Sequence, residues 1–441
     1  MRRHFCNSRK LFLQWSCIVF CWLCGAEISR AATWEIVSQN GRQYIPLHCL
    51  RDFYSLSNET TDEPNQIRLR GAKGVLDFRA NSRECAINGV RIWLSFPALL
   101  TEGGWLVSRM DVAKTVEPAM RPAIIKGLAN VTTVVLDAGH GGHDGGAASR
   151  YGYEKTFALD IVRRVKNKLV AGGYKVVLTR DSDFFIPLHD RPAVANALPD
   201  SIFVSIHFNA SQQGDAATGI EVFSIAPRGA PSTNDDYITW ASLREEPGHE
   251  LDMASFALAR SVHTALMGHL RETDRGLKRA RFAVIRTARV PAILVECGFL
   301  TNPYDAKMIA TDGHRNEIAS AVAEGISDYK LLATVHKTPK TLGDYNRSIE
   351  TKITLREDHE AGVNLEGDRT STPTHLVAPA PQTESIGTPL IFRLWETEDT
   401  GSLRPFSTGR FPFLRSKTES SFIRFTPALP APAPELTPQG R

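Results

Sequence analysis

Four residues in this sequence combine reactive chemistry with a telling position. His140 lies in Val134-Val135-Leu136-Asp137-Ala138-Gly139-His140-Gly141-Gly142, an apolar run that passes straight into a glycine-rich turn. Glycines there permit φ > 0 and close backbone approach. A phosphate-binding loop would need Lys-Ser/Thr after its glycines, and that pair is absent. His207 closes a second apolar run, in Ser205-Ile206-His207-Phe208-Asn209-Ala210. Glu154 stands just before a helical pattern over Thr156–Val170, where a helix N-terminus favours the ionised carboxylate. Glu296 closes Ile293-Leu294-Val295-Glu296-Cys297-Gly298-Phe299, and an acid ending an apolar strand is costly to bury unless paired or bound to metal.

Taken singly, each has an ordinary explanation. A strand-end histidine is commonly a hydrogen-bonded structural residue, and Glu154 alone reads as a first-turn helix acid. Two imidazoles at two strand ends plus one carboxylate form instead a common catalytic zinc set, with a fourth position left for water. His140, Glu154 and His207 are therefore the expected Zn²⁺ ligands, and Glu296 the expected general base. No HExxH is present, so the zinc-protease helix arrangement does not apply. Residues spread from position 140 to 296 can meet only through the fold.

The elements around them predict that fold. Strand-like runs at Thr133–Asp137, Lys175–Thr179, Ser201–Ile206, Ile220–Phe223 and Ile293–Glu296 alternate with helical patterns at Thr156–Val170, Leu188–Asn196, Leu251–Leu270 and His314–Leu331. This alternation predicts an α/β domain over 131–332: a single mixed, mostly parallel sheet flanked by helices. Strands of such sheets present ligands at their carboxyl ends. Residues 33–122 read differently, as a small β-rich domain with hairpin signals at Asn40-Gly41 and Asn88-Gly89. Residues 333–441 are rich in Thr, Pro, Ser and charge, end in Pro-Ala repeats, and are expected to form a disordered tail. The Arg/Phe-interleaved stretch at 406–425 belongs to it.

Charge and cysteines set the compartment. Arg2, Arg3, Arg9 and Lys10 account for the whole formal excess of +4, so no basic stripe for nucleic acid remains. They precede the apolar run Leu11–Cys24 and small residues at Gly25-Ala26 and Ala31-Ala32, the layout of a signal peptide over 1–32. The run is short for a bilayer span and Gln14 and Ser16 interrupt it, so no stable membrane span is expected after cleavage. Arg2-Arg3 suits either the general or the twin-arginine export route. Cys49, Cys85 and Cys297 remain outside the signal. An odd number argues against a disulfide framework, and Cys49 with Cys85 reads equally as a disulfide or as two buried thiols.

These motifs together resemble the zinc-dependent N-acetylmuramoyl-L-alanine amidases known as amidase type 3. The family's Asp-x-Gly-His-Gly-Gly-x-Asp-x-Gly falls on Asp137, Gly139, His140, Gly141, Gly142, Asp144 and Gly146. Its Glu ligand falls on Glu154, its Ser-x-His-x-Asn-Ala on Ser205, His207, Asn209 and Ala210, and its Val-Glu-x-Gly-Phe-x-x-Asn on Val295, Glu296, Gly298, Phe299 and Asn302. The resemblance implies cleavage of the amide between the muramic acid lactyl group and L-alanine in peptidoglycan, in wall remodelling or daughter-cell separation. It implies export to the periplasm or cell-wall space, where that substrate lies. Asp144 and Asn209 are expected to support the ligands or touch substrate. The N-terminal stretch Ala86–Val90 through Gly104–Ser108 resembles copper amine oxidase N-terminal-like domains. It shows no copper-ligand cluster and reads as a binding or positioning module.

One departure lies at 224–255, an insertion rich in Pro, Ser and acids. Division amidases of this family carry an inserted segment that blocks the zinc until a protein activator binds. Glu245, Glu246, His249 and Glu250 are the candidates for such a gate, with a plain surface loop as the alternative.

Overall fold

A computed structural model of the chain describes residues 34–128, 130–211 and 214–334. The expected signal segment 1–32 and the tail from 335 onward, with its Arg/Phe stretch, lie outside the described residues. Among the described residues, six strands form the α/β part of the central sheet: β1 (Thr133–Ala138), β2 (Lys175–Leu178), β3 (Ser201–Asn209), β4 (Ile220–Ile225), β5 (Asp274–Ala280) and β6 (Ala292–Phe299). Their order in the sheet is β2-β1-β3-β6-β4-β5. The first four run parallel; β4 is antiparallel to β6 and parallel to β5. The fold is the expected mixed, mostly parallel sheet flanked by helices.

Helix α1 (Glu154–Ala171) buries Phe157, Ile161, Val165 and Leu169, a four-residue stripe that lies on β1, β2 and β3. Glu154 opens that helix within the same inward face and is itself buried. Helix α2 (Asp252–His269) is buried from Asp252 through Leu266, because the sheet covers one side and α3 (Asp312–Thr334) the other. Val135, Phe203 and Leu294 from the sheet pack with Ala195 and Ile285. Strand alternation turns Val134, Ile202 and Ile293 the other way.

Upstream, the two Asn-Gly turns close hairpins, Val37–Gln39 with Arg42–Pro46 and Ser82–Ile87 with Val90–Thr101. Asn40, Gly41, Asn88 and Gly89 all adopt positive φ, as a two-residue hairpin requires. Strand Val90–Thr101 also pairs with β5 through Ile92 and Leu277, so the β-rich segment continues the central sheet. Arg91 donates to the Asp274 carbonyl at 2.7 Å and Trp93 Nε1 to the Arg275 carbonyl at 3.0 Å. Cys49, Cys85 and Cys297 are buried free thiols. No helix among the described residues is long and apolar enough to cross a membrane.

Candidate active site

On the two central strands every residue is buried except one on each: His207 on β3 and Glu296 on β6. These two are registered partners. Registered residues on adjacent strands project from one face, about 5 Å apart. These two central strands thus open at a single row, near their carboxyl ends.

His140 reaches that row from the turn after β1. It holds φ +59°, an uncommon conformation for a side-chain-bearing residue, and the surroundings enforce it. Arg191 donates to the His140 carbonyl at 2.8 Å, and Arg180 to the Gly139 carbonyl at 2.7 Å. Arg191 also pairs with Asp137 at 3.0 Å, whose carboxylate takes the Thr179 and Ser205 hydroxyls at 2.6 Å each. Asp137 and both arginines are buried, so the turn rests on a satisfied ionic base rather than on exposed charge.

The structure brings His140, Glu154 and His207 together, with ligand atoms all within 4.8 Å of one another. His140 Nε2 lies 3.1 Å from Glu154 Oε2, and His207 Nδ1 lies 2.9 Å from Glu154 Oε1. Backbone donors fix the same carboxylate: Ala147 N to Oε2 at 2.8 Å and Phe208 N to Oε1 at 3.0 Å. Asp144 accepts from His140 Nδ1 at 2.8 Å, which leaves Nε2 facing the cluster. Burial alone would raise the Glu154 pKa, but its contacts with His140 and His207 outweigh it and hold the carboxyl well below the usual range. Burial would lower the His140 pKa, and Glu154 and Asp144 together raise it instead.

The cradle fits a small cation. Two nitrogens and a carboxylate converge, as in catalytic zinc sites. A Cβ on Gly146 would stand 2.5 Å from Glu154 Oε2 and 2.6 Å from His140 Cδ2; one on Gly139 would stand 2.5 Å from the His207 ring. Only glycine lets the backbone close around these side chains.

Glu296 Oε2 is buried and has no hydrogen-bond partner among the described residues. Burial pushes its carboxyl well above the usual range, Glu154 and Glu221 add to this, and Lys278 opposes it. Sequence reasoning missed Glu221 and Lys278. Glu221 registers with Glu296 from β4 and receives Asn209 Nδ2 at 2.8 Å, Arg275 Nε at 2.9 Å and the Lys278 ammonium. Its signal in sequence was the one that marked Glu296: a lone acid inside an apolar strand. Among the described residues, Asn209 therefore steadies Glu221 and makes no bond to the three-residue cluster.

The inserted segment makes contacts of its own. Glu245 is exposed, 3.6 Å from Arg228, and Glu250 is exposed. Glu246 pairs with Arg286 at 3.0 Å, and His249 Nδ1 accepts from Glu246 N at 3.0 Å. None of the four bonds to His140, Glu154, His207 or Glu296 among the described residues. Two arginines clamp the segment: Arg83, from strand Ser82–Ile87, to the Asp235 carbonyl at 3.0 Å, and Arg281, just past β5, to the Ala230 carbonyl at 2.8 Å.

A mixed α/β sheet that gathers two histidines and a glutamate beside a strand-end carboxylate has the layout of a metal hydrolase. The family profile described as N-acetylmuramoyl-L-alanine amidase matches residues 134–328. N-acetylmuramoyl-L-alanine amidase AmiA of Escherichia coli K12 is 34% identical over 218 residues, 44% of this chain and 75% of that protein. AmiA of Salmonella typhimurium LT2 is 31% identical over 245 residues, 51% of this chain and 84% of that protein. A crystal structure of the N-acetylmuramoyl-L-alanine amidase from Clostridium difficile 630 is 33% identical, with a TM-score of 0.38 over 46% of this chain and 97% of that chain. The chain belongs to the N-acetylmuramoyl-L-alanine amidase family.

Proposed function

We propose that this chain hydrolyses the amide between N-acetylmuramic acid and the L-alanine of the stem peptide, with His140, Glu154 and His207 holding a zinc ion and Glu296 acting as general base. The observation that carries this reading is the registered pair His207–Glu296, which sets a carboxyl group with an unpartnered buried oxygen beside a cluster that fits a metal. Zinc held there would supply Lewis acidity for the amide carbonyl and lower the pKa of a water to about 7. Glu296 takes a proton from the attacking water and delivers it to the amide nitrogen as the C–N bond breaks. The lactyl group leaves as a carboxylate and the stem as a free amine. Asp144 keeps His140 oriented, and Glu221 with its cations sustains the field around Glu296.

Export of the chain by the segment at 1–32 to the periplasm or cell-wall space fits that substrate. We read 33–122 as a positioning module similar to copper amine oxidase N-terminal-like domains, and 131–332 as the catalytic domain. A protein activator at the division site, acting on the insertion through Glu245, Glu246, His249 or Glu250, belongs to the same proposal. Digestion of purified sacculi followed by mass spectrometry tests the reaction. Intact stems and stem-free glycan are expected from the wild type, with loss on the order of 10²–10⁴-fold for Glu296→Ala. Shortened stems, or equal digestion by the variant, would overturn the reading; metal analysis of the purified protein tests zinc.

A further inference from the structure

Four large apolar side chains stand in solvent around the metal-binding turn, and the hydrolysis above uses none of them. Phe184 is 44% exposed, Phe185 36%, Leu188 54% and Tyr153 56%. Apolar groups gathered in solvent mark a contact surface.

The segment that carries three of them is held firmly. Asp183 accepts from Gly142 N at 2.8 Å and from Lys155 Nζ at 2.7 Å, and the same ammonium donates to the Gly142 carbonyl at 2.8 Å. Arg191 Nε donates to the Ile186 carbonyl at 3.0 Å. The segment also lies directly on the turn. A Cβ on Gly141 would stand 2.2 Å from the Phe184 carbonyl oxygen, and one on Gly142 2.8 Å from Phe185 N. The Phe pair therefore rides on the two residues that follow His140. At the other end of the turn, the Tyr153 ring covers Gly145, where a Cβ would meet it at 3.0 Å, and Tyr153 immediately precedes Glu154.

The substrate class says what such a rim meets. The scissile amide is attached to a lactyl group carried on a pyranose ring. With the amide at Glu296 and the cluster, that ring lies only a few bonds away. Pyranose faces present C–H groups that pack on aromatic rings, whereas the stem carries carboxylates. Beside the rim, the Lys155 ammonium is already paired with Asp183. The geometry points to a sugar subsite formed by Phe184, Phe185, Leu188 and Tyr153, which grips the muramoyl ring rather than the stem. This subsite rests on the amidase reading above. Because the rim is fixed before substrate arrives, it adds binding without an ordering cost.

Two synthetic substrates with the same stem test it: an N-acetylmuramoyl peptide and the matching lactoyl peptide without the sugar. Wild type is expected to favour the sugar-bearing substrate in kcat/KM, and Phe184→Ser/Phe185→Ser to lower that preference about tenfold through KM. Leu188→Ser is read the same way if the double variant does not fold. An unchanged preference in the folded variant overturns the subsite and leaves the amidase reading intact. A wild type that cleaves neither substrate overturns the amidase reading and the subsite with it.

Discussion

Replacing Gly146 by alanine offers a sharp test of the metal cradle. Gly146 adopts φ +68°, and an added Cβ would lie 2.5 Å from Glu154 Oε2 and 2.6 Å from His140 Cδ2. Both distances are about 1 Å inside the ~3.5 Å at which non-bonded atoms settle. Neither neighbour can swing away freely. Glu154 is pinned by Ala147 N and Phe208 N, and His140 by Asp144. Two of the three ligands must therefore move, and displacement on this scale costs roughly 10²-fold in turnover. Zinc affinity should fall on the order of 10- to 100-fold. The backbone change contributes separately, about 1–2 kcal/mol for a side-chain-bearing residue in the left-handed region. Gly173→Ala isolates that second effect, since Gly173 holds φ +83° at the end of α1 with nothing within 4 Å of a new Cβ. Chelator competition gives the zinc affinity of each variant, and thermal unfolding gives the stability. Both variants should lose a few degrees in Tm, while only Gly146→Ala loses metal and activity. Equal zinc affinity in the two variants would refute the proposed cradle.

Other residues give independent checks. Glu296 works as a base only when deprotonated, and burial with Glu154 and Glu221 lifts its pKa from the ordinary 4.5, so kcat/KM should fall on acidification at a pH well above that value. Glu221→Gln removes one raising charge, and the acid limb of the profile should move to lower pH; a limb that stays or rises contradicts the account. Asp144→Ala frees His140 Nδ1 and should weaken zinc binding roughly 10- to 100-fold in chelator titration, whereas wild-type affinity would mean Asp144 does not orient the ligand. Arg191→Ala strands the buried Asp137 carboxylate, with an expected destabilisation of about 3–5 kcal/mol in urea unfolding; a loss under about 1 kcal/mol would show that this ionic base is not needed.

Much of this was legible in the chain itself. Apolar runs of strand length, each ending in a polar reactive residue, identified β1, β3 and β6 together with His140, His207 and Glu296. The helical pattern over Thr156–Val170 put Glu154 at a helix N-terminus, and only the fold turned it onto the buried face. The Asn-Gly turns were equally plain, because few other dipeptides accept positive φ twice in succession. The insertion was visible as a change in composition. Its acid/His pattern suggested reach toward the metal, yet Glu246 and His249 are engaged with Arg286 and with the short helix Pro247–Leu251 that they open.

What sequence determined is the identity of the reactive groups and the local elements that bear them, since periodicity, turn chemistry and burial cost act over a few residues. What only the tertiary structure decided is adjacency. Register between β3 and β6 sets His207 beside Glu296, and register between β4 and β6 adds Glu221 with Lys278 behind it. Pairing of strand Val90–Thr101 with β5 joins the N-terminal segment to the same sheet. Phe184 and Phe185 come to rest on the turn that carries His140. Strand pairing and packing join residues far apart along the chain, and a local pattern carries no record of which strand becomes its neighbour.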